Sequence, residues 1–247
     1  MKKQENSFRG LTFFTQSYDD LLQIINKHIE NKENCFISTP TTEIIGESFN
    51  DAKVVEILES ATILLPDSVT LVQLASVLGK KIRHRLTGVD TIYKLGQNKD
   101  KKYRVYLLGS REDVVKKAAE EAKQLLPSFE VVGYQSGYFQ SKDESGIVEE
   151  INKSQADILF VGMGFPKQEL FIYNNLATLK VPVKITVGGS FDVVSGMLKR
   201  APRWMQSLGL EWLFRLIQEP SRITRMALIP YFLLQIFIYE LVHTKRK

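Results

Sequence analysis

The stretch ADILFVGMGFPKQE, residues 156–169, contains the pattern that decides the fold. Its first half is a continuous apolar run, which is typical of a strand buried on both faces of a sheet. Gly162 and Gly164 then turn the chain, and Pro166 stands where the first turn of a helix tolerates the loss of an N–H. A buried strand that leads through a glycine turn into a helix predicts one unit of a parallel α/β sheet.

Five other short apolar runs have the same character, and each ends in a polar or glycine-containing corner. Helical spacing fills the intervals between them, most clearly in residues 111–127 and 143–154. Buried strands that alternate with amphipathic helices predict an α/β fold, a Rossmann-like parallel sheet with helices on both faces. The five runs are CFIS (35–38), ATILLPD (61–67), YRVYLLGS (103–110), FEVVGYQSG (129–137) and VKITVGG (183–189).

The composition excludes several classes of protein. Of the 247 residues, 44% are hydrophobic, which excludes an intrinsically disordered chain. The single cysteine, Cys35, excludes a disulfide framework, and we expect a buried thiol in a reducing compartment. The basic residues of the N-terminal MKKQENSFRG are not followed by an apolar stretch, so we expect no secretory signal and a cytoplasmic location.

Charge is distributed unevenly along the chain. Residues 199–247 contain nine Lys or Arg and three Glu, whereas residues 1–198 contain 24 Lys or Arg and 25 Asp or Glu. A nearly neutral body therefore carries a basic tail that needs its own explanation. We accordingly predict two units: a Rossmann-like domain over residues 1–198 and a basic, apolar C-terminal appendage over residues 199–247.

Small and polar residues recur where the predicted strands end. Because the carboxyl ends of parallel strands meet at one edge of the sheet, these residues predict a cleft in which backbone approaches a ligand closely. The alternative is that glycine simply ends the strands. The residues are Thr39, Thr41, Gly109, Ser110, Gly137, Gly164, Gly188 and Gly189.

Lys167 and Gln168 stand in the first turn of the helix predicted after Gly164. A glycine turn that leads into a helix suits a phosphate or pyrophosphate, although an ordinary loop with a solvated lysine explains the same residues. The spacing matches neither the P-loop nor the GxGxxG fingerprint. A nucleotide-dependent oxidoreductase is therefore disfavoured, while another Rossmann-type nucleotide-dependent enzyme stays open.

Two aspartates follow predicted strands. Asp67 precedes a predicted helix, where it either caps that helix or acts as a general base at the mouth of the cleft. Asp192 follows a glycine pair, and its carboxylate either holds a ribose hydroxyl or caps the next turn. The three histidines lie in unrelated contexts, so with one cysteine they predict no metal site.

Four segments stand out as motifs: RLTGVD (85–90), GMGFPKQE (162–169), VGGSFD (187–192) and RAPRWMQSLGLEWLFRLIQEPSR (200–222). Taken together they resemble the WecG/TagA/CpsF glycosyltransferases, family 26. The last segment is the most specific, because it is long and rich in Trp and Arg. The resemblance extends over about residues 13–225, close to the whole body and the start of the tail.

The resemblance implies an inverting transfer from a UDP-sugar, with N-acetylmannosamine, its uronic acid or a related hexose as the transferred group. The implied acceptor is a sugar linked to polyprenyl diphosphate at the cytoplasmic face of a bacterial membrane. Such enzymes contribute to teichoic acid, exopolysaccharide and other cell-surface polysaccharide synthesis. The resemblance makes residues 1–198 a catalytic domain and implies that neither a metal nor another cofactor is needed.

Residue by residue, the resemblance makes Asp67 the base that deprotonates the acceptor hydroxyl. The family's T-x-N corner falls on Thr39 and Thr41, so that Thr41 replaces Asn, and Ser68 replaces the Gly of a PDG corner. These departures leave the sugars open and keep one alternative, a non-catalytic membrane-bound nucleotide-sugar binding protein. The remaining matched residues are expected to face UDP: Lys167, Gln168, Gly188, Gly189 and Asp192.

Three arginines of the tail are spaced to share one face of a helix: Arg215, Arg222 and Arg225. The resemblance implies that the tail docks on the body and brings arginines over the active site. We therefore expect these three side chains to contact the diphosphate of the donor or of the lipid acceptor.

Residues 226–242 are largely apolar but are interrupted by Pro230, Gln235 and Glu240. A stretch this short is a poor spanning helix, so we expect an interfacial segment whose Lys and Arg meet anionic lipid. A core-packed helix and a spanning anchor remain alternatives. Nucleic-acid binding is disfavoured because the basic residues adjoin an apolar stretch, and an apolar tail leaves a homo-oligomer open.

Overall fold

The computed structural model describes residues 5–207, 210–220, 223 and 227–245. Six strands form the central sheet: β3 (Cys35–Ser38), β4 (Ile63–Leu64), β5 (Tyr103–Gly109), β6 (Phe129–Gln135), β7 (Ile158–Gly162) and β8 (Val183–Thr186). They pair in the order β4–β3–β8–β7–β5–β6, and every pairing is parallel. A short antiparallel hairpin, β1 (Ser7–Phe8) and β2 (Leu11–Thr12), precedes them. The predicted parallel sheet is confirmed.

Helices connect the strands and cover both faces of the sheet, as the α/β pattern predicts. The two clearest predictions, residues 111–127 and 143–154, are confirmed by the sixth and seventh helices below. The helices are α1 (Tyr18–Asn31), α2 (Thr42–Glu47), α3 (Ala52–Glu59), α4 (Val69–Val77), α5 (Gly88–Gly96), α6 (Glu112–Leu125), α7 (Glu144–Lys153), α8 (Lys167–Asn174), α9 (Ser190–Val194), α10 (Arg203–Ser207), α11 (Glu211–Gln218) and α12 (Ile229–Lys245).

Strands β3, β4, β7 and β8 are buried along their whole length, and their successive side chains point to opposite faces of the sheet. In β7, Ile158 and Phe160 join the apolar cluster on one face of the sheet, while Leu159 and Val161 join the cluster on the other. All four side chains are fully buried. Helices therefore cover both faces of each continuous apolar strand. The polar and glycine residues that follow the strands lie at the carboxyl edge of the sheet.

The last helix, α12, packs against α2 and α4. Phe232 and Ile236 are buried in this contact, and a Cβ added to Gly46 would come within 2.2 Å of the Phe232 ring. Lys80 Nζ and Glu240 Oε2 form a largely buried ion pair at 2.8 Å. One face of α12 is thus held on the body, as the core-packed alternative predicts. The boundary between residues 198 and 199 stays a prediction.

The opposite face of α12 is apolar and exposed, with Tyr231, Leu234 and Ile238 each more than half exposed. Within residues 5–207, 210–220, 223 and 227–245, no helix has both the length and the apolar character that crossing a bilayer requires.

Candidate active site

Asp67 lies just past the carboxyl end of β4, between Pro66 and the first turn of α4. The side chain is 24% exposed, so the carboxylate is partly buried and still reaches solvent. Ser68, one residue later, occupies the N-cap position of α4. Asp67 therefore lies at the carboxyl edge of the sheet, next to the residue that caps the helix.

Arg85 and Gly88 hold Asp67 from the loop that leads into α5. The Nε of Arg85 donates to the Asp67 carbonyl oxygen at 2.6 Å, and its Nη2 lies 3.7 Å from Asp67 Oδ1. The backbone N–H of Gly88 donates to the Asp67 carboxylate. These contacts fix the position of the carboxylate and leave room for a further hydrogen-bond partner.

Burial raises the pKa of Asp67 from its ordinary value to about 6. The positive charges of Arg85 and Arg215 and the Gly88 hydrogen bond oppose this rise, whereas the negative charge of Glu211 adds to it. A carboxylate with a pKa near 6 is a stronger proton acceptor than an exposed aspartate and is still largely ionised at neutral pH.

A buried carboxylate from α11 reaches the same guanidinium. Glu211, whose side chain is 6% exposed, accepts a hydrogen bond from Arg85 Nη1 at 2.8 Å, and its other oxygen lies 3.6 Å from Arg200 Nε. Arg200 in turn pairs with Asp90. We call Asp67, Arg85 and Glu211 the carboxylate half of the site.

The other half of the edge is built from glycine backbone. Gly109 has φ +145° and approaches β7 so closely that an added Cβ would lie 2.3 Å from the Gly162 carbonyl oxygen. Ser110, also at positive φ, donates its N–H to that oxygen at 2.9 Å and accepts the N–H of Gly137 at 2.9 Å. We call Gly109, Gly137, Gly162 and Gly188 the glycine half.

Gln168 and Glu169 lie buried at the start of α8, beneath the glycine half. The Gly188 N–H donates to Gln168 Oε1 at 3.0 Å, and Gln168 Nε2 donates to Glu169 Oε1 at 2.8 Å. Glu169 Oε2 is buried and has no hydrogen-bond partner among the described residues, and burial raises the pKa of Glu169 to about 7. The pair fixes the loop at Gly188 through one oriented side-chain amide.

Gly88 joins the two halves. Its N–H contacts Asp67, and a Cβ at this position would lie 2.9 Å from the Cα of Val187, directly before Gly188. The structure thus brings Asp67 and the Gly188 loop to opposite sides of one glycine.

The predicted threonines follow β3, the strand that pairs with β4. Thr39 is buried and bridges β3 to β8: its N–H donates to Thr186 Oγ1 and its hydroxyl donates to the Thr186 carbonyl, both at 3.0 Å. Thr41 is the N-cap residue of α2 and its side chain makes no capping hydrogen bond. Next to them the hydroxyls of Thr42, Ser68 and Thr70 form a closed triangle with sides of 2.7–2.8 Å.

The remaining predicted residues that the structure describes follow the carboxyl ends of β7 and β8 or lie in α11. Lys167 is exposed at the first position of α8, Gly164 turns the chain before it at φ +74°, and Gly189 is the N-cap residue of α9. Asp192 lies in α9 and influences Arg111 electrostatically. Arg215 in α11 is close enough to lower the pKa of Asp67. Arg222 and Arg225 lie outside the described residues.

Three residues of the site escaped the sequence analysis: Arg85, Glu169 and Glu211. Arg85 and Glu169 stand in the motifs RLTGVD and GMGFPKQE, so the motifs themselves were the available signal. Glu211 stands 126 positions from Arg85, and nothing in its local sequence indicates that pairing.

Comparison with known proteins gives a consistent result. The sequence model of the glycosyl transferase WecG/TagA/CpsF family matches residues 7–246. The chain belongs to this family. The resemblance inferred from the motifs is thereby confirmed, and the protein is a glycosyltransferase.

Two similar family members come from Bacillus subtilis and Staphylococcus aureus. A protein of Bacillus subtilis strain 168 is 33% identical over 239 residues, which cover 96% of this chain and 93% of that relative. A protein of Staphylococcus aureus strain MW2 is 32% identical over 243 residues, covering 96% and 92%. Both are named N-acetylglucosaminyldiphosphoundecaprenol N-acetyl-beta-D-mannosaminyltransferase.

Proposed function

We propose that the protein transfers N-acetylmannosamine, or a closely related sugar, from UDP to a GlcNAc unit linked to polyprenyl diphosphate, with inversion at the anomeric carbon. The observation that carries the proposal is the partly buried carboxylate of Asp67, held by Arg85 and Gly88 at the carboxyl edge of a parallel sheet. The names of the relatives support the choice of both sugars. The proposed product is an intermediate of teichoic acid or a related cell-surface polysaccharide.

Asp67 is the proposed general base. In an inverting transfer the acceptor hydroxyl attacks the anomeric carbon on the face opposite the leaving diphosphate. The hydroxyl proton passes to Asp67 as the new C–O bond forms, and the bond to UDP breaks. A pKa near 6 supports this role, because the carboxylate is ionised at neutral pH and still a competent proton acceptor.

The leaving UDP carries the developing negative charge, and cationic side chains are proposed to stabilise it. Arg85 and Arg215 flank Asp67, and the exposed Lys167 stands at the glycine half. Fixed positive charges at the reacting group stabilise a transition state without reorganisation. We propose that these residues, with Arg222 and Arg225, serve the diphosphate in place of a metal ion.

The proposed acceptor is membrane-bound, so the enzyme has to work at the surface of a bilayer. The exposed apolar face of α12 supports peripheral attachment to the inner face of the plasma membrane. Trp204 and Trp212 in α10 and α11 are also well exposed. Sedimentation with vesicles tests the attachment: binding to vesicles that contain phosphatidylglycerol but not to pure phosphatidylcholine supports an anionic surface.

UDP release tests the proposed reaction. The assay offers UDP-N-acetylmannosamine, its uronic acid and UDP-N-acetylglucosamine with a short-chain polyprenyl-diphosphate-GlcNAc acceptor. We expect acceptor-dependent UDP release with one donor, and a roughly 10²- to 10⁴-fold loss of kcat in Asp67→Asn. Asp100→Asn, an exposed aspartate that precedes β5 at the opposite edge of the sheet, is the matched control.

Three outcomes would contradict parts of the proposal. Equal UDP release by the wild type and Asp67→Asn would place the base elsewhere. Release that is independent of acceptor would make the protein a hydrolase. Tight UDP binding without turnover on any donor would favour a nucleotide-sugar binding protein. The anomeric configuration of the product, read by NMR, decides between inversion and retention.

A further inference from the structure

Two carboxylates compete for one guanidinium in the carboxylate half. Arg85 Nη1 lies 2.8 Å from Glu211, a hydrogen-bonding distance, whereas Arg85 Nη2 lies 3.7 Å from the Asp67 carboxylate, outside it. The Arg85 Nε binds only the backbone carbonyl of Asp67. Glu211 therefore takes the strong contact, and Asp67 receives only the longer-range field of the same charge.

We propose that Glu211 is a positioning residue that holds the Arg85 guanidinium off the Asp67 carboxylate, so that Asp67 stays available to accept a proton from the substrate. The inference rests on the proposed role of Asp67 as the base. Helix α11 then contributes two residues to the reaction, Glu211 and Arg215. They lie one helical turn apart, and both act on Asp67.

The burial of Glu211 supports this assignment. Its side chain is only 6% exposed, and a carboxylate buried to this extent stays ionised only when neighbouring cations compensate its charge. Arg85 and Arg200 supply those cations, and Arg200 is itself anchored by Asp90. Without Glu211, two guanidinium groups lose a partner, and the nearest free carboxylate for Arg85 is Asp67. A close Arg85–Asp67 ion pair would stabilise the ionised form and weaken the base.

The groups that face Asp67 come from three directions. Arg85 and the Gly88 N–H lie before and at the start of α5, Glu211 and Arg215 come from α11, and the Tyr18 hydroxyl approaches from α1. Burial raises the pKa of Tyr18, so the phenol stays neutral across the working range. Of these groups, Glu211 carries the negative charge, and its removal lowers the pKa of Asp67 both directly and by freeing Arg85.

The test is the titration of Asp67 in Glu211→Gln, followed by the ¹³C shift of its carboxyl carbon and assigned with Asp67→Asn. We expect the titration midpoint to fall by about one pH unit relative to the wild type. The apparent pKa of the acid limb of kcat/KM should fall by the same amount, and kcat at neutral pH should decrease. Glu130→Gln is the matched control, because it breaks an exposed Arg104–Glu130 pair of 3.0 Å on β5 and β6 and should leave the midpoint unchanged.

Arg200→Gln separates positioning from a general loosening of α11. This variant removes one of the two cations near Glu211 and keeps the Arg85–Glu211 contact. The titration midpoint of Asp67 should therefore stay at the wild-type value or rise. A loosened segment would shift both variants in the same direction and overturn the inference, as would an unchanged midpoint in Glu211→Gln. The titration of Asp67 needs no substrate. If the wild-type protein transfers no sugar, the proposed reaction is refuted, and the titration still tests the role of Glu211.

Discussion

The carboxylate half and the glycine half of the site differ in what holds them together: charged side chains in the first, and close backbone contacts in the second. The carboxylate half places Asp67 and Glu211 each within ion-pair distance of Arg85, and all three side chains are partly or fully buried. The glycine half brings backbone from β5, β7 and β8 together so closely that side chains are excluded. The carboxylate half sets the proton affinity of Asp67, and the glycine half sets the shape of the backbone at the edge of the sheet.

This difference teaches where each half is vulnerable. Electrostatic contacts respond to charge and pH, because each group changes the protonation of its neighbours. Close backbone contacts respond to added volume, because backbone atoms cannot move aside as a flexible side chain can. The two halves therefore call for different variants and different measurements.

Arg85→Met tests the carboxylate half and should have the largest effect. It removes a charge that lowers the pKa of Asp67 and one cation that satisfies the buried Glu211. We expect kcat/KM to fall about 100-fold and its acid limb to move above pH 6. The shift is opposite in sign to that expected of Glu211→Gln. An acid limb that moves the same way in both variants would contradict the arrangement of charges.

Gly109→Ala tests the glycine half. The new Cβ would lie 2.3 Å from a backbone oxygen of Gly162, at a φ of +145° that alanine rarely adopts. We expect a loss of about 3 kcal/mol in unfolding free energy and UDP binding weakened by roughly tenfold or more. Calorimetry of UDP binding and urea denaturation measure the two effects.

Gly146→Ala is the matched control for this variant. Gly146 lies within α7 and an added Cβ meets nothing within 4 Å, so the change should stabilise the helix by about 0.5–1 kcal/mol and leave UDP binding unchanged. Equal tolerance of alanine at Gly109 and Gly146 would refute the close packing of the glycine half.

Glu169→Gln is read in stability alone, as a change in its pH dependence. The pKa of Glu169 is about 7 in the fold and near 4.5 when exposed, so the unfolded state releases its proton first as pH rises. The wild type therefore loses stability between about pH 4.5 and 7, by up to ~3 kcal/mol. A neutral glutamine should remove this loss, making the variant more stable than the wild type at pH 8 but not at pH 4.5.

Urea denaturation at the two pH values measures this difference. A parallel pH dependence in the wild type and Glu169→Gln would show that Glu169 is ionised within the fold.

The sequence predicted the glycine half better than the carboxylate half for a physical reason. A glycine at the end of an apolar run is a local signal, and Gly109, Gly137 and Gly188 all follow such runs. Charge pairing is not local: Glu211 pairs with Arg85 across 126 positions, and only the packing of α11 brings them together. Asp67 was predicted because it stands at a strand end, and Arg215 because of its place in the tail, but Arg85 and Glu211 were not.

Strand lengths show the same limit. Residues 61–67 read as one full strand, yet β4 contains only Ile63–Leu64. The strand lies at the edge of the sheet, pairs with β3 over two register positions and adds one isolated bridge between Leu64 and Phe13, so the apolar pattern reflects burial more than regular pairing. The central strand at residues 35–38, which pairs on both sides, has the predicted bounds.

The pH dependence of kcat/KM for the wild type and Asp67→Asn tests the central claim most directly. For the wild type we predict an acid limb with an apparent pKa near 6, set by the burial of Asp67 between Arg85 and Glu211. The residual activity of Asp67→Asn should lack that limb. An acid limb that persists at the same pH in Asp67→Asn would contradict the account, because the titrating base would then be another group.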